Sequence, residues 1–164
     1  MNTPQPPPVE ALAKYRGEAF RPLYTGTVTV SGGAAAHGRA SGIARSDDGA
    51  LDVALRLPLE LGGPGGGSNP EQLFAAAFAA CFHGGLSLLA ARDGLQTCDA
   101  SVRARVTFGR DPADGLYALT ACIDIRLPGL DRAVADELVR NTERLCPYSK
   151  MARQGIHIVV ALTG

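Results

Sequence analysis

The rhythm of apolar and polar positions changes several times along the chain, and each change marks an element. Residues 23–31 read Leu-Tyr-Thr-Gly-Thr-Val-Thr-Val-Ser, and the alternation of Val28 and Val30 among β-favouring residues predicts a half-buried strand. A glycine-rich turn follows, and residues 39–45 can return as a second strand. After the Asp48-Gly49 turn signal, Leu51, Val53, Leu55 and Leu57 fall on one face, predicting a third strand over 51–57. Period two then stops. Residues 73–91 are apolar almost all round, which predicts a helix buried on most of its sides. Its start is well marked: Asn69 can cap, Pro70 suits the first helical position, and Gln72 stands where a capping box needs it. Gly84 and Gly85 lie inside this helix, and each costs up to ~1 kcal/mol of helix propensity. Close approach by another backbone, from this subunit or a second one, would offset that cost; a tolerated glycine pair or a kink is the alternative.

Alternation resumes at 101–108, with Val102, Ala104, Val106 and Phe108 opposite Arg103, Arg105 and Thr107. A turn at 111–115 leads to a further strand over 116–127, which Pro128-Gly129 ends. Residues 131–145 carry an apolar stripe of Val134, Leu138 and Leu145, with Arg132, Asp136 and Arg140 outside, and predict a second helix. Cys146-Pro147 closes it, Pro147 opens a short helix ending near Gly155, and 156–162 reads as a final strand. Three strands, a helix, two strands, two helices and a strand do not make a βαβ repeat. The expected class is α+β, helices packed on antiparallel sheet. Pro4, Pro6, Pro7 and Pro8 mark residues 1–18 as a flexible tail, with at most a turn of helix at 11–15. Residues 19–164 are expected to form one domain.

Composition narrows the function. Lys plus Arg and Asp plus Glu are both 16, so the formal net charge is zero and no basic stripe offers a footprint for nucleic acid. The longest apolar stretch, 73–91, is rich in Ala and Gly and contains His83, and does not read as a membrane span. The proline-rich start is no signal peptide, and the expected location is the cytoplasm. Aromatics are only 5% of residues, so Ala, Leu, Val and Ile must fill the core. The run from Glu60 to Pro70 has the glycines of a loop but neither a dinucleotide nor a Walker register. No nucleophile elbow supports a serine hydrolase.

Cys81, Cys98, Cys122 and Cys146 show no C-x-x-C and lie far from any histidine pattern that binds zinc. Cys98 and Cys122, in or beside strands, read as packing residues. By composition Cys81, mid-helix among apolar residues, is a buried inert thiol or a reactive one, and Cys146 stands at a helix end that does not itself lower a thiol pKa.

The surroundings of Cys81 and Cys146 change their standing. Asn69-Pro-Glu-Gln-Leu-Phe-Ala-Ala-Ala-Phe-Ala-Ala-Cys81-Phe, preceded by Glu60-Leu-Gly-Gly, resembles the first-cysteine helix of the OsmC/Ohr family, in its organic hydroperoxide resistance (Ohr) branch. Leu145-Cys146-Pro147-Tyr148-Ser149 resembles the second-cysteine motif of that branch. Leu23-Tyr-Thr, Ser46-Asp-Asp-Gly-Ala-Leu-Asp-Val and the closing strand resemble it too, so the likeness runs from about 23 to 162. It implies an intertwined obligate homodimer whose antiparallel sheets wrap two central buried helices, with active sites at the subunit interface. It implies reduction of organic hydroperoxides to alcohols: Cys81 attacks and becomes a sulfenic acid, and Cys146 condenses with it into a disulfide. Dihydrolipoyl groups, as dihydrolipoamide or on a lipoylated protein, reduce that disulfide, and no cofactor is bound. A second thiol at hand suits this chemistry, because further oxidation to sulfinic acid is largely a dead end. A purely structural disulfide between the two would fit poorly with a reducing cytosol.

The resemblance also implies an Arg and a Glu paired beside the thiolate. Glu71 matches the Glu. Glu71 and Cys81 are ten residues apart, about 15 Å of helical rise, so a pocket using both would take Glu71 from one subunit and Cys81 from the other. The Arg departs from the family pattern. Directly after the first hairpin's Gly32-Gly33 stands Ala34; counting back from Asp48-Gly49 instead makes Arg39 the counterpart, with about five residues inserted. His37 is a further candidate, but mostly neutral near pH 7 and so a poorer partner for a thiolate. Phe78 and Phe82 beside Cys81 suit a hydrophobic substrate, of the fatty-acid hydroperoxide type, better than hydrogen peroxide. If no arginine reaches the thiolate, a non-catalytic or redox-sensing dimer of the same fold is the alternative.

Overall fold

The computed structural model describes residues 13–34 and 39–163. Three short strands come first: β1 (Val28–Ser31), β2 (Ile43–Ser46) and β3 (Asp52–Ala54). They form an antiparallel sheet in the order β1-β2-β3, with Val28 opposite Ser46 and Ala44 opposite Val53. The β2–β3 connection turns on Asp48, whose carboxylate accepts from the Ala50 N–H and the Ser46 hydroxyl, while Gly49 takes the left-handed φ of 73°. A 3₁₀ turn (Leu59–Leu61) and the glycine loop lead to α1 (Pro70–Arg92). The Asn69 side chain accepts from the Gln72 N–H at 2.9 Å and the Gln72 side chain accepts from the Asn69 N–H at 3.3 Å, a complete capping box. β4 (Ser101–Arg110) and β5 (Tyr117–Arg126) pair as a two-stranded sheet, followed by α2 (Arg132–Leu145) and α3 (Pro147–Gln154). Asp131 caps α2 by accepting from the N–H groups of Ala133 and Val134.

Two compact units divide the described residues. One contains 13–14, 76–105 and 121–163. Its core is a stripe on α1, Phe78, Phe82, Leu86 and Leu89, at the spacing of one helical face, together with Leu138 and Thr142 of α2. Gly85 faces α2 there, and a Cβ at Gly85 would lie 3.6 Å from Thr142 and Leu145, ordinary contact. The other unit contains 15–34, 39–75 and 106–120, with Ala40, Ala44 and Leu55 as its buried apolar residues.

The α+β class, the two antiparallel sheets and the helices agree with the sequence pattern, and β4 alternates as expected, Val102, Ala104, Val106 and Phe108 being the more buried set. Four expectations need correction. The first three strands are shorter than 23–31, 39–45 and 51–57, and 23–27 form no strand. Residues 156–163 form none either, although their composition favours one; Ile158 and Val160 are 72% and 89% exposed. A strand forms only where another offers its edge, and the described chain offers these segments no partner. The helix is not buried on most sides, since Gln72, Ala76, Ala80, His83, Gly84 and Leu88 of α1 are exposed. By length and composition α1 is also apolar enough to cross a membrane, contrary to the reading of 73–91, yet it packs on α2 through Gly85. Residues 1–12 of the expected tail lie outside the described residues, and 13–15 show no helical turn.

Candidate functional site

Cys81 is brought to Cys146 by helix geometry. It lies one turn before the Gly85 contact with α2, and Cys146 ends α2, where its N–H still bonds to the Thr142 carbonyl at 2.8 Å. Pro147 cannot continue that helix and starts α3 instead, so Cys146 has extended backbone and is shared by two helix ends. Cys146 is 1% exposed and Cys81 is half-buried; their sulfurs are 3.4 Å apart and both thiols are free. Closing that gap to a disulfide bond asks for about 1.4 Å of movement. The ring of Tyr148, on α3, lies 5.9 Å from that of Phe78.

The environment of Cys81 is apolar. Burial pushes its thiol up to about 11; the Tyr148 backbone N–H works against the rise, and the neighbouring Cys146 adds to it. No cation is among these influences. A thiol pushed up in this way is overwhelmingly protonated near neutral pH, so a nucleophile at this position needs a positive charge brought to it.

A second cluster lies in the unit that holds the first sheet. Arg39 Nη2 is 3.2 Å from Glu71 Oε1, with side chains 43% and 18% exposed. The Arg39 guanidinium also lies 3.5 Å from the Phe108 ring centroid, and Phe108 stacks on Tyr117 at 4.8 Å. Glu71 stands in the first turn of α1, where a negative charge is favoured by the helix dipole. The structure thus brings together Arg39 with Glu71, and Cys81 with Cys146. Ala34 carries no charge and contributes its carbonyl to the Ser41 hydroxyl. His37 lies outside the described residues. Phe78 and Phe82 are 5% and 3% exposed, core residues beside the thiol pair and not an open surface.

Cys98 and Cys122 are exposed, which overturns their reading as packing residues; Cys122 Sγ instead accepts from Arg105 Nη2 at 3.1 Å. The aromatic pair under Arg39 was not legible as site residues. The only signal was that Phe108 belongs to the inward set of β4. Among the described residues no group of three His, Cys, Asp or Glu side chains could hold a metal ion.

A family model described as OsmC-like protein matches residues 63–161. The organic hydroperoxide resistance protein of Xanthomonas axonopodis pv. citri (strain 306) is 41% identical over 142 residues, covering 85% of this chain and 94% of that protein. The crystal structure of the organic hydroperoxide resistance protein OhrB of Bacillus subtilis superposes with a TM-score of 0.69 at 37% identity, over 81% of this chain and 93% of that one. A crystal structure from Legionella pneumophila, described as an organic hydroperoxide resistance protein and predicted redox protein, gives 0.72 at 35% identity, over 82% and 93%.

Proposed function

This chain belongs to the OsmC/Ohr family, and from that premise we propose that it is an organic hydroperoxide reductase working through Cys81 and Cys146. The observation that carries the proposal is the pair of free sulfurs 3.4 Å apart, one buried and one half-buried, at the two cysteines whose motifs define the resemblance. The Cys81 thiolate attacks the distal oxygen of R–O–OH and breaks the O–O bond. Oxygen stays on sulfur as Cys–SOH, and the alkoxide takes a proton and leaves as ROH. Cys146 then attacks the sulfenic sulfur, expels water and forms the Cys81–Cys146 disulfide. A dithiol, which we take to be a dihydrolipoyl group, returns two electrons and two protons by exchange through a mixed disulfide.

Arg39 is the proposed source of the positive charge that Cys81 lacks, held by Glu71. Ten residues of α1, about 15 Å of rise, separate Glu71 from Cys81, which supports a reading in which Arg39 and Glu71 of one subunit serve Cys81 of a second. An obligate homodimer follows, with 19–164 as its working domain and 1–18 as an appendage. A hydrocarbon-chain substrate, of the fatty-acid hydroperoxide type, is taken from the family likeness; Phe78 and Phe82, buried in the core, do not line an open site in this chain. Neutral charge and a cytosolic reductant fit a cytoplasmic enzyme.

Consumption of cumene hydroperoxide with dihydrolipoamide tests the mechanism. C81S is expected to abolish turnover, C146S to permit at most one oxidation per site, and R39A to slow the reaction at least tenfold. Wild-type turnover by C81S would refute it. An R39A protein as fast as wild type would leave the cysteine chemistry standing and favour a different cation.

A further inference from the structure

The ion pair with Glu71 does not by itself fix Arg39. It is a single contact from Nη2, at 3.2 Å, and the arginine side chain is 43% exposed, a setting in which ion pairs hold a long side chain weakly. A guanidinium tethered at one nitrogen can still turn about that contact, and its other N–H groups would then sweep a wide arc.

Phe108 supplies the missing restraint. The Arg39 guanidinium carbon is 3.5 Å from the Phe108 ring centroid, van der Waals contact with the electron-rich face, and 5.4 Å from that of Tyr117. The Phe108 ring is itself held. It stacks on Tyr117 of the neighbouring strand at 4.8 Å and 24°, and Arg110 lies 4.2 Å from the Tyr117 ring centroid. Nothing in the chemistry of a hydroperoxide requires a phenyl ring at the end of β4, yet two arginines, Arg39 and Arg110, meet this one aromatic pair.

We propose that Phe108, braced by Tyr117, is a positioning residue for the peroxidase reaction: its face sets the plane of the Arg39 guanidinium, Glu71 sets its direction, and together they present the remaining N–H donors to the thiolate and the peroxide. This rests on the reductase function proposed above. It explains how an arginine displaced along the hairpin can serve as a preorganised charge.

The test is a double-mutant cycle on sulfenic acid formation by cumene hydroperoxide, with F108L, R39A and F108L/R39A, and C81S alongside. Leucine keeps the apolar bulk and removes the π face. F108L is expected to lower the second-order rate constant about two- to thirtyfold, the span that a ring face is worth to a cation. In the R39A background the same substitution is expected to be silent, a coupling that a merely structural role would not give. F108Y is expected to restore the rate. NMR gives a readout independent of activity: the Arg39 side-chain protons, shifted upfield by the ring in the wild type, should lose that shift in F108L. An F108L protein with the wild-type rate while C81S is dead would overturn this inference and leave the reductase function intact. An equal loss in both backgrounds would overturn it as well, as would an unshifted Arg39 in the wild type. Turnover by C81S would overturn the function and the inference together.

Discussion

Cys81 is held in a state that resists the chemistry its neighbours invite. Its sulfur is 3.4 Å from Cys146, ready for a disulfide, while burial drives the thiol up to about 11. The two facts are compatible if the charge that releases the proton comes from elsewhere, which keeps the buried thiol quiet until a complete pocket surrounds it. The pH dependence carries the sign. A thiol of raised pKa gains thiolate only as pH rises toward that value, and an added guanidinium moves the curve down. The alkylation rate of Cys81 by iodoacetamide should therefore have its midpoint well below 11 in the wild type and move up toward 11 in R39A. Equal midpoints would show that Arg39 does not act on this thiol. At this scale an unbroken motif made Glu71, Cys81 and Cys146 stand out as candidates, and the structure sets Cys81 beside Cys146 and Glu71 beside Arg39. Arg39 was harder, because an insertion destroys the spacing that would identify it, and only its 3.2 Å approach to Glu71 singles it out from Ala34. Phe108 was harder still, since an inward aromatic on a strand looks the same whether it fills a core or carries a cation.

Each element that ends on a strong local signal was legible in outline. The Asn69–Gln72 capping box and Pro147 place the starts of α1 and α3 correctly, because these signals act within one turn and need no tertiary partner, whereas α2 was legible from its apolar stripe and the Asp131 cap emerges only in the structure. Strand lengths were not legible, because a strand's extent is set by the edge it meets. The caps also predict stability. Asp131→Ala should cost about 1 kcal/mol by leaving the Ala133 and Val134 N–H groups without their acceptor, read as a lower urea midpoint at unchanged slope. Within α1 the two glycines should part company. Gly85→Ala places a methyl 3.6 Å from Thr142 and Leu145 without a clash and gains helix propensity of up to ~1 kcal/mol, so it should be neutral or stabilising in the same assay. A loss above 2 kcal/mol would mean that α1 and α2 pack more closely than this contact allows.

For the whole molecule the informative surface is the apolar one left bare by a single chain. Phe20 and Leu23 near the start of the described chain are 94% and 90% exposed, and Ile156, Ile158, Val159, Val160 and Leu162 near its end are exposed as well. Both segments have strand composition and, among the described residues, no strand partner. Along α1, Gly84 has nothing within 4 Å of where a Cβ would be, and Ala76, Ala80 and Leu88 are exposed with it. Bare apolar area of this kind marks an interaction surface, and unpaired strand segments invite another chain. A second copy would satisfy both needs, and under the function proposed above it would also be the source of the Arg39 and Glu71 that serve Cys81. Two substitutions separate that assembly from simple folding. Gly84→Leu adds bulk where a single chain has open space, so a monomer would tolerate it, whereas a dimer packed through this face would not. Light scattering after size exclusion should show the wild type at twice the 17.0 kDa chain mass and G84L shifted toward the monomer, with peroxidase activity falling in parallel. Deleting 156–163 should act in the same direction. The wild-type unfolding midpoint should also rise with protein concentration, as mass action requires of a dimer whose monomers are less stable. A wild type that is fully active at 17.0 kDa would remove the second subunit from the pocket, and a route from Arg39 to Cys81 within one chain would then be required.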